Sequence, residues 1–326
     1  MRNRTQTTTA TCTCCNHCVG TPERRGHQRS GRGRGMQLGM IGLGKMGGNM
    51  KLRLQEVGHQ VVGYDRDPDK TDVGSPAELV QALEAPRAVW VMVPAGEPTR
   101  STVAELAGLL SAGDIVVDGG NSRFTDDETN AAVLADHGIG YVDVGVSGGV
   151  WGFTEGYALM VGGAEADVQK LMPVFDALKP EGEYGFVHAG GVGAGHYAKM
   201  VHNGIEYAMM EAYAEGYELL EASEHVQNVP EVFKSWRSGT VIRSWLLDLL
   251  DRALDEDPEL AKIKGWVEDS GEGRWTVEEA VRLRVPLPAI SDSLFARFAS
   301  RQDDSPAMKA VAALRNQFGG HAVRPE

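Results

Sequence analysis

The spacing of apolar and polar positions divides the chain into stretches of different rhythm. Short apolar runs of strand length recur at 36–41, 59–64, 88–93, 114–118 and 140–144, separated by longer stretches with helical spacing. That alternation predicts a parallel sheet with right-handed crossovers. Around residues 192–195 the character changes. From 196 to 223 the chain has no proline and many strong helix formers, which predicts one long helix.

The first strand–helix junction carries a recognisable phosphate cradle. Residues 36–41 lead into Gly42-Leu43-Gly44-Lys45-Met46-Gly47, with a helix expected over 48–57. In a G-x-G-x-x-G turn, Gly42 permits the tight bend and Gly44 lets the backbone approach a pyrophosphate. Gly47 lets the helix pack closely on the sheet, and the free N–H groups at the helix start hold the phosphates. The second strand ends at Asp65, 23 residues beyond Gly42, where an acid meets the adenosine ribose. A carboxylate there favours NAD. Arg66 beside it is the kind of residue that accepts a 2′-phosphate, so NADP stays open.

Two loops, Asp118-Gly119-Gly120-Asn121-Ser122 and Val146-Ser147-Gly148-Gly149, fall at the carboxyl ends of strands, where open α/β sheets bind ligands. Each offers amides and a small polar side chain, although glycine-rich stretches also simply turn a chain. Within the long helix, Lys199, His202, Asn203, Glu206 and Tyr207 share one face, with Val201, Ile205, Ala208 and Met209 expected opposite. A polar stripe is ordinarily a solvated face. This one mixes five chemistries and borders a helix that is otherwise largely apolar, as a buried helix is. A desolvated Lys199 suits removal of an alcohol proton, and Glu206, two turns on, suits the opposite end of the same substrate.

Composition narrows the classes. The 326 residues suffice for about two domains. The longest apolar stretch, 88–94, is far shorter than the roughly 18 residues of a membrane span. Residues 1–35 differ from the rest, holding seven arginines, one acid and all four cysteines (Cys12, Cys14, Cys15, Cys18). Ligands crowded into seven residues do not match a structural zinc site, so no metal is expected. This segment is read as a disordered extension or an early start, with Met36 the natural beginning. Without it the chain carries 25 basic and 44 acidic residues, a net −19 against −13 overall. Such a surface repels nucleic acid and anionic membrane, and would suit a salt-rich cytoplasm.

These motifs (IGLGKMGGNM, DGGNS, VSGG and above all KMVHNGIEY) resemble the decarboxylating 6-phosphogluconate dehydrogenases of the β-hydroxyacid dehydrogenase superfamily, over about 36–321. The resemblance implies an α/β Rossmann domain at 36–195 followed by an all-α C-terminal domain at 196–326. It implies a cytoplasmic enzyme of the oxidative pentose phosphate pathway that converts 6-phosphogluconate to ribulose 5-phosphate and CO₂. Lys199 would be general base, then acid, and Glu206 would protonate C1. Asn121, Ser147, Gly148, Gly149, His202 and Asn203 would hold the gluconate end. Tyr207 and Arg297 would meet the phosphate, joined by Arg315 and His321 from a neighbouring subunit, which implies a homodimer or homotetramer. The dinucleotide would lie along Gly42, Leu43, Gly44, Lys45, Met46 and Gly47, with Asp65 and Arg66 at the ribose, Val93, Pro94 and Ala95 beneath, and Asn121 nearby.

There are departures. The chain is shorter than the long form and lacks its second helical repeat. No lysine near 270–275 matches a long-form phosphate ligand, with Arg274 a poor substitute. The sequence VWGFTEGYALM after VSGG also differs. These features match the short, often NAD-using branch. Three other readings remain: a non-decarboxylating enzyme such as 3-hydroxyisobutyrate dehydrogenase, a silent dinucleotide-binding regulator, and a nucleic-acid binder acting through the basic tail. The phosphate-binding arginines, the intact Lys199/Glu206 pair and the net −19 speak against them in turn.

Overall fold

A computed structural model describes residues 35–324. The expectations for the cysteine-bearing segment lie outside the described residues, apart from Gly35. Seven strands form one sheet in the order β2-β1-β3-β4-β5-β6-β7. They are β1 (Gln37–Ile41), β2 (Gln60–Tyr64), β3 (Ala88–Val91), β4 (Ile115–Asp118), β5 (Gly140–Ser147), β6 (Ala158–Gly163) and β7 (Phe186–Gly190). All neighbours pair in parallel except β5 and β6, which run antiparallel. The five expected strands are present. β5 runs on to Ser147, so Val146 and Ser147 belong to a strand rather than to the loop expected there.

β3 and β4 are buried at every position, as strands covered on both faces must be. Their side chains feed two cores. Leu38, Met40, Trp90 and Val117 pack on one face, while Ile41, Val89, Val91 and Val116 pack on the other. Helices α1 (Lys45–Glu56), α2 (Pro76–Gln81), α3 (Glu97–Leu109), α4 (Phe124–Ala135), the short α5 (Gly152–Glu155) and α6 (Glu165–Leu178) connect the strands. α1 begins at Lys45, three residues earlier than expected, because Gly44 is its N-cap and Gly47 and Gly48 lie inside it.

After β7 the described chain is helical: α7 (Ala194–Glu221), α8 (Val229–Trp236), α9 (Trp245–Glu256), α10 (Glu272–Leu283), α11 (Pro288–Ala299) and α12 (Pro306–Gly319). The architecture is thus a Rossmann-like α/β sheet domain followed by a helical domain, as expected. Among the described residues no helix is long and apolar enough to cross a membrane. α7 packs against β5, β6 and β7, and α8 and α9 bury Val229, Phe233, Leu247 and Leu254 beside the later part of α7.

Candidate active site

A cleft of about 1460 Å³ opens where the carboxyl ends of the strands meet α7 and α9. It exceeds the ~300–1000 Å³ typical of a pocket for one small ligand, as a dinucleotide and a second substrate together would need. One wall is the glycine turn. Gly42 has φ +92°, and a Cβ there would strike the Met92 carbonyl at 2.6 Å, while one on Gly47 would strike the Gly42 carbonyl at 2.0 Å. Gly44 faces open space. The first turn of α1 has no side-chain cap, so its amides are free to hold an anion. These residues fit a dinucleotide pyrophosphate.

Gly42, Gly44, Lys45, Met46, Gly47, Asp65, Arg66, Val93 and Pro94 all line this wall. Two expected cofactor residues do not. The Leu43 side chain is buried, and its N–H donates to Asp65 at 2.6 Å, so that amide is not available to a phosphate. Ala95 is not among the residues that line the cleft. The other Asp65 oxygen accepts from the Asp67 amide at 2.9 Å. The acid expected at the ribose therefore also stiffens the turn beneath the phosphates.

The second wall is α7. A Cβ on Gly195 would come within 2.4 Å of the Met160 carbonyl and 2.7 Å of the Asp143 carbonyl, and one on Gly145 would meet Lys199 Cβ at 2.3 Å. Only glycine at both sites lets the helix lie this close to β5 and β6. Asp143 on β5 accepts from the amides of Gly193 and His196 at 2.8 and 3.0 Å, capping α7 from the sheet.

Lys199 then points into the cleft and donates to Asn203 Oδ1 at 2.9 Å. Asn203 Nδ2 donates to Glu272 Oε1 at 2.9 Å, and since a carboxylate oxygen accepts, the amide orientation is fixed. His202 Nδ1 must therefore carry the proton it shares with Asn203 Oδ1 at 2.9 Å. Its Nε2 faces Ser147 Oγ at 3.5 Å, and Glu206 Oε2 lies 3.8 Å from Nδ1. Burial pulls the Lys199 amine below its ordinary range, partly offset by the charges of Glu272 and Glu206. A partly desolvated amine of this kind is suited to take a proton from a bound hydroxyl.

Asn121, Ser147, Gly148, Gly149, Lys199, His202, Asn203 and Glu206 all border the same cleft. The positions expected opposite the stripe do not keep to that face. Val201, Ile205 and Met209 line the cleft too, because at about 100° per residue Ile205 and Met209 flank His202. Helix α9 supplies the facing wall through Ser244, Trp245, Leu246 and Leu249, which no sequence motif had marked. Glu272 was missed as well. It lies 69 residues from Asn203 in a stretch notable only for its missing lysine, and is 2% exposed.

The expected phosphate ligands fall outside the cleft of their own chain. Tyr207 is buried, receives the Ser270 amide at 3.2 Å, and has the Arg297 guanidinium 3.5 Å above its ring. Arg297 also donates to the Glu268 carbonyl at 3.0 Å. Arg315 on α12 and His321 just beyond it are exposed and border no part of the cleft. Arg274, the poor substitute for the missing lysine, pairs with Asp269 at 2.8 Å.

Residues 37–185 match the model of the NAD binding domain of 6-phosphogluconate dehydrogenase, and residues 195–322 match that of its C-terminal domain. The NAD(+)-dependent, decarboxylating 6-phosphogluconate dehydrogenase of Haloferax volcanii is 42% identical over 298 residues, 88% of this chain and 98% of that one. The decarboxylating enzyme of Lactococcus lactis is 35% identical over 310 residues, which cover 87% of this chain and 66% of its own. A solved 6-phosphogluconate dehydrogenase of Plasmodium falciparum superposes with a TM-score of 0.76 at 24% identity, covering 89% of this chain and 66% of that one, a likeness of fold. With both halves matched and a relative at 42% identity covered over 98% of its own length, the chain belongs to the 6-phosphogluconate dehydrogenase family.

Proposed function

We propose that the protein oxidises and decarboxylates 6-phosphogluconate to ribulose 5-phosphate and CO₂, with NAD as the first choice of oxidant and NADP as the alternative. The observation that carries this reading is the shared cleft. The glycine turn at Gly42–Gly47 and the polar face of α7, with Lys199 and Glu206, open into one space. The dinucleotide, when bound along that turn, supplies the hydride acceptor.

The side chains divide the remaining work. Ser147, His202 and Asn203 hold hydroxyls, with Asn203 fixed by Glu272. Neutral Lys199 takes the proton of the C3 hydroxyl as that carbon is oxidised. The resulting ammonium stays beside the new carbonyl and favours loss of CO₂ from the β-keto acid by hydrogen bonding to the developing enolate. Glu206 then delivers a proton to C1 of the enediol, giving the ketose. Asp65 fits the adenosine ribose and favours NAD, in keeping with the NAD(+)-dependent relative.

The phosphate end is assigned to Tyr207 and Arg297, completed by Arg315 and His321 from a second copy in a homodimer or larger assembly working in the cytoplasm. Two features support that assembly. α12 has no buried residue, and Met308, Val311, Leu314 and Phe318 expose an apolar stripe along it. A helix of this kind needs a partner surface. The sheet with its connecting helices forms one part and the helices from α7 onward the other, with the division assigned at 195/196.

The test is direct. Purified protein is mixed with 6-phosphogluconate and NAD or NADP, while reduced nicotinamide and released ¹⁴CO₂ are followed together. Equal yields of both are expected. Reduced nicotinamide without CO₂ would move the protein to the non-decarboxylating branch, and neither product would end the reading.

A further inference from the structure

Beneath the cleft lies a charged cluster that none of these steps uses. Asp118 ends β4, Asp127 is in the first turn of α4, Tyr141 is on β5 and His196 is in the first turn of α7. All four are buried, the two carboxylates completely. His196 Nδ1 donates to both oxygens of Asp127 at 2.9 Å. The Tyr141 hydroxyl is shared between Asp127 Oδ1 at 2.8 Å and Asp118 Oδ2 at 3.3 Å. Asp118 in turn receives Ser122 Oγ at 2.8 Å and the Gly120 amide at 3.0 Å. One continuous chain of hydrogen bonds thus joins the start of the Lys199 helix to the loop that presents Asn121.

We infer that this chain is a positioning device for the reaction proposed above, on which the inference rests. It holds the first turn of α7, and Lys199 one turn later, in register with the 119–122 loop across the cleft. The ligand atoms of Asp118, Asp127 and His196 lie within 4.8 Å of one another, close enough to suggest a cation site. The hydrogen bonds argue against it, since every carboxylate oxygen of Asp118 and Asp127 already has a donor. Nor is the cluster a good device for stability alone. Apolar residues of similar volume often replace a buried ion pair without loss. His196 Nε2, moreover, is buried with no partner among the described residues, an arrangement that costs stability. What the imidazole keeps is the link through Nδ1.

The electrostatics fit a permanent link. Burial alone would depress His196, but its hydrogen bond to Asp127 and the charges of Asp118, Asp127 and Asp143 outweigh that and hold it at about 9. Burial lifts Asp127 to about 6 against the pull of His196.

The test uses Tyr141→Phe, which deletes only the bridging hydroxyl, and the pair His196→Leu with Asp127→Leu, which removes the charges together. Two quantities are read for each. One is steady-state kinetics with 6-phosphogluconate and NAD, normalised to folded protein. The other is the rate at which acetic anhydride labels Lys199 in the free enzyme, followed by peptide mass spectrometry. A slack helix start predicts kcat lower by about tenfold to a hundredfold with KM for NAD within about twofold, as expected for a misplaced base. It also predicts severalfold faster labelling. His196→Gln, which keeps a donor toward Asp127, should recover part of both. Folded variants with wild-type kcat and wild-type labelling would overturn the inference. If the leucine pair does not fold, Tyr141→Phe decides. If wild-type protein does not turn over 6-phosphogluconate, the functional reading fails, and labelling alone judges the positioning role.

Discussion

Replacing Gly145 by alanine should damage catalysis far more than its size suggests. Gly145 lies on β5 directly under Lys199, and an added Cβ would sit 2.3 Å from Lys199 Cβ, 2.8 Å from the Gly195 carbonyl and 3.1 Å from Lys199 Cγ. Ordinary contact begins near 3.4 Å, so strand and helix must part by about 1.1 Å at this point. Neither neighbour is the free end of a flexible chain. One is helix backbone held by the Asp143 cap, and the other is the root of the base itself. Misplacing a catalytic group by about 1 Å costs on the order of a hundredfold in rate. Overpacking a buried contact costs about 1–3 kcal/mol, which lowers Tm by several degrees in a domain of this size. The assay is kcat at saturating 6-phosphogluconate and NAD, normalised to folded protein by circular dichroism, with NAD affinity measured separately. The expectation is a large loss of kcat, a modest loss of Tm and nearly unchanged NAD affinity. A folded G145A enzyme with kcat within twofold of wild type would refute the claim that this contact sets the position of Lys199.

Other outcomes follow from the same geometry. Lys199→Met should abolish turnover while leaving NAD binding intact, and comparable activity would remove Lys199 as the base. Asp65→Ala should weaken NAD more than NADP, and should also lower Tm because the Leu43 and Asp67 amides lose their acceptor; an unchanged ratio of specificity constants would show that Asp65 is not the selector. Gly44→Ala faces open space, so the free enzyme should keep its Tm while NAD titrations show weaker binding; unaltered affinity would separate Gly44 from the phosphates. The folded-state pKa of His196, about 9, lies above the 6.5 of a free imidazole, so its contribution to stability is complete below 6.5 and is lost as pH rises through 9. That contribution is on the order of 3 kcal/mol. Tm should fall from pH 7 to 9.5 in wild type and fall less in His196→Gln, as scanning calorimetry would register.

What the sequence disclosed was local. Strands β1, β3, β4 and β5 were legible because strands buried on both faces tend to be runs of apolar residues, and the edge strand β2 because its apolar residues run up to Asp65. β6 and β7 were not, since β6 ends on Gly162 and Gly163, β7 ends on Gly190, and β7 is half-exposed along its length. The glycine turn and the α7 stripe were legible because their spacing is written within a dozen residues. Glu272, Asp127 and Asp143 carried no such signal, being joined to α7 only through contacts spanning 50 to 69 residues. The α9 wall was hidden for the same reason. The error over Ile205 and Met209 was angular, for a cleft wraps more of a helix than a single polar stripe.

The close seating of Gly195 on the Asp143 and Met160 carbonyls also bears on how the enzyme breathes. A helix fastened to a sheet at its first turn cannot swing about that end, so glycine turn and base travel together as one jaw. The opposing jaw is α9, with Trp245, Leu246 and Leu249. Beyond its packing on α8 and the later part of α7, α9 also reaches the edge of the sheet domain, where Arg252 rests on the Trp151 ring at 4.8 Å. An exposed cation–π contact contributes only about 0.5–1 kcal/mol, so these two side chains can part without any helix melting.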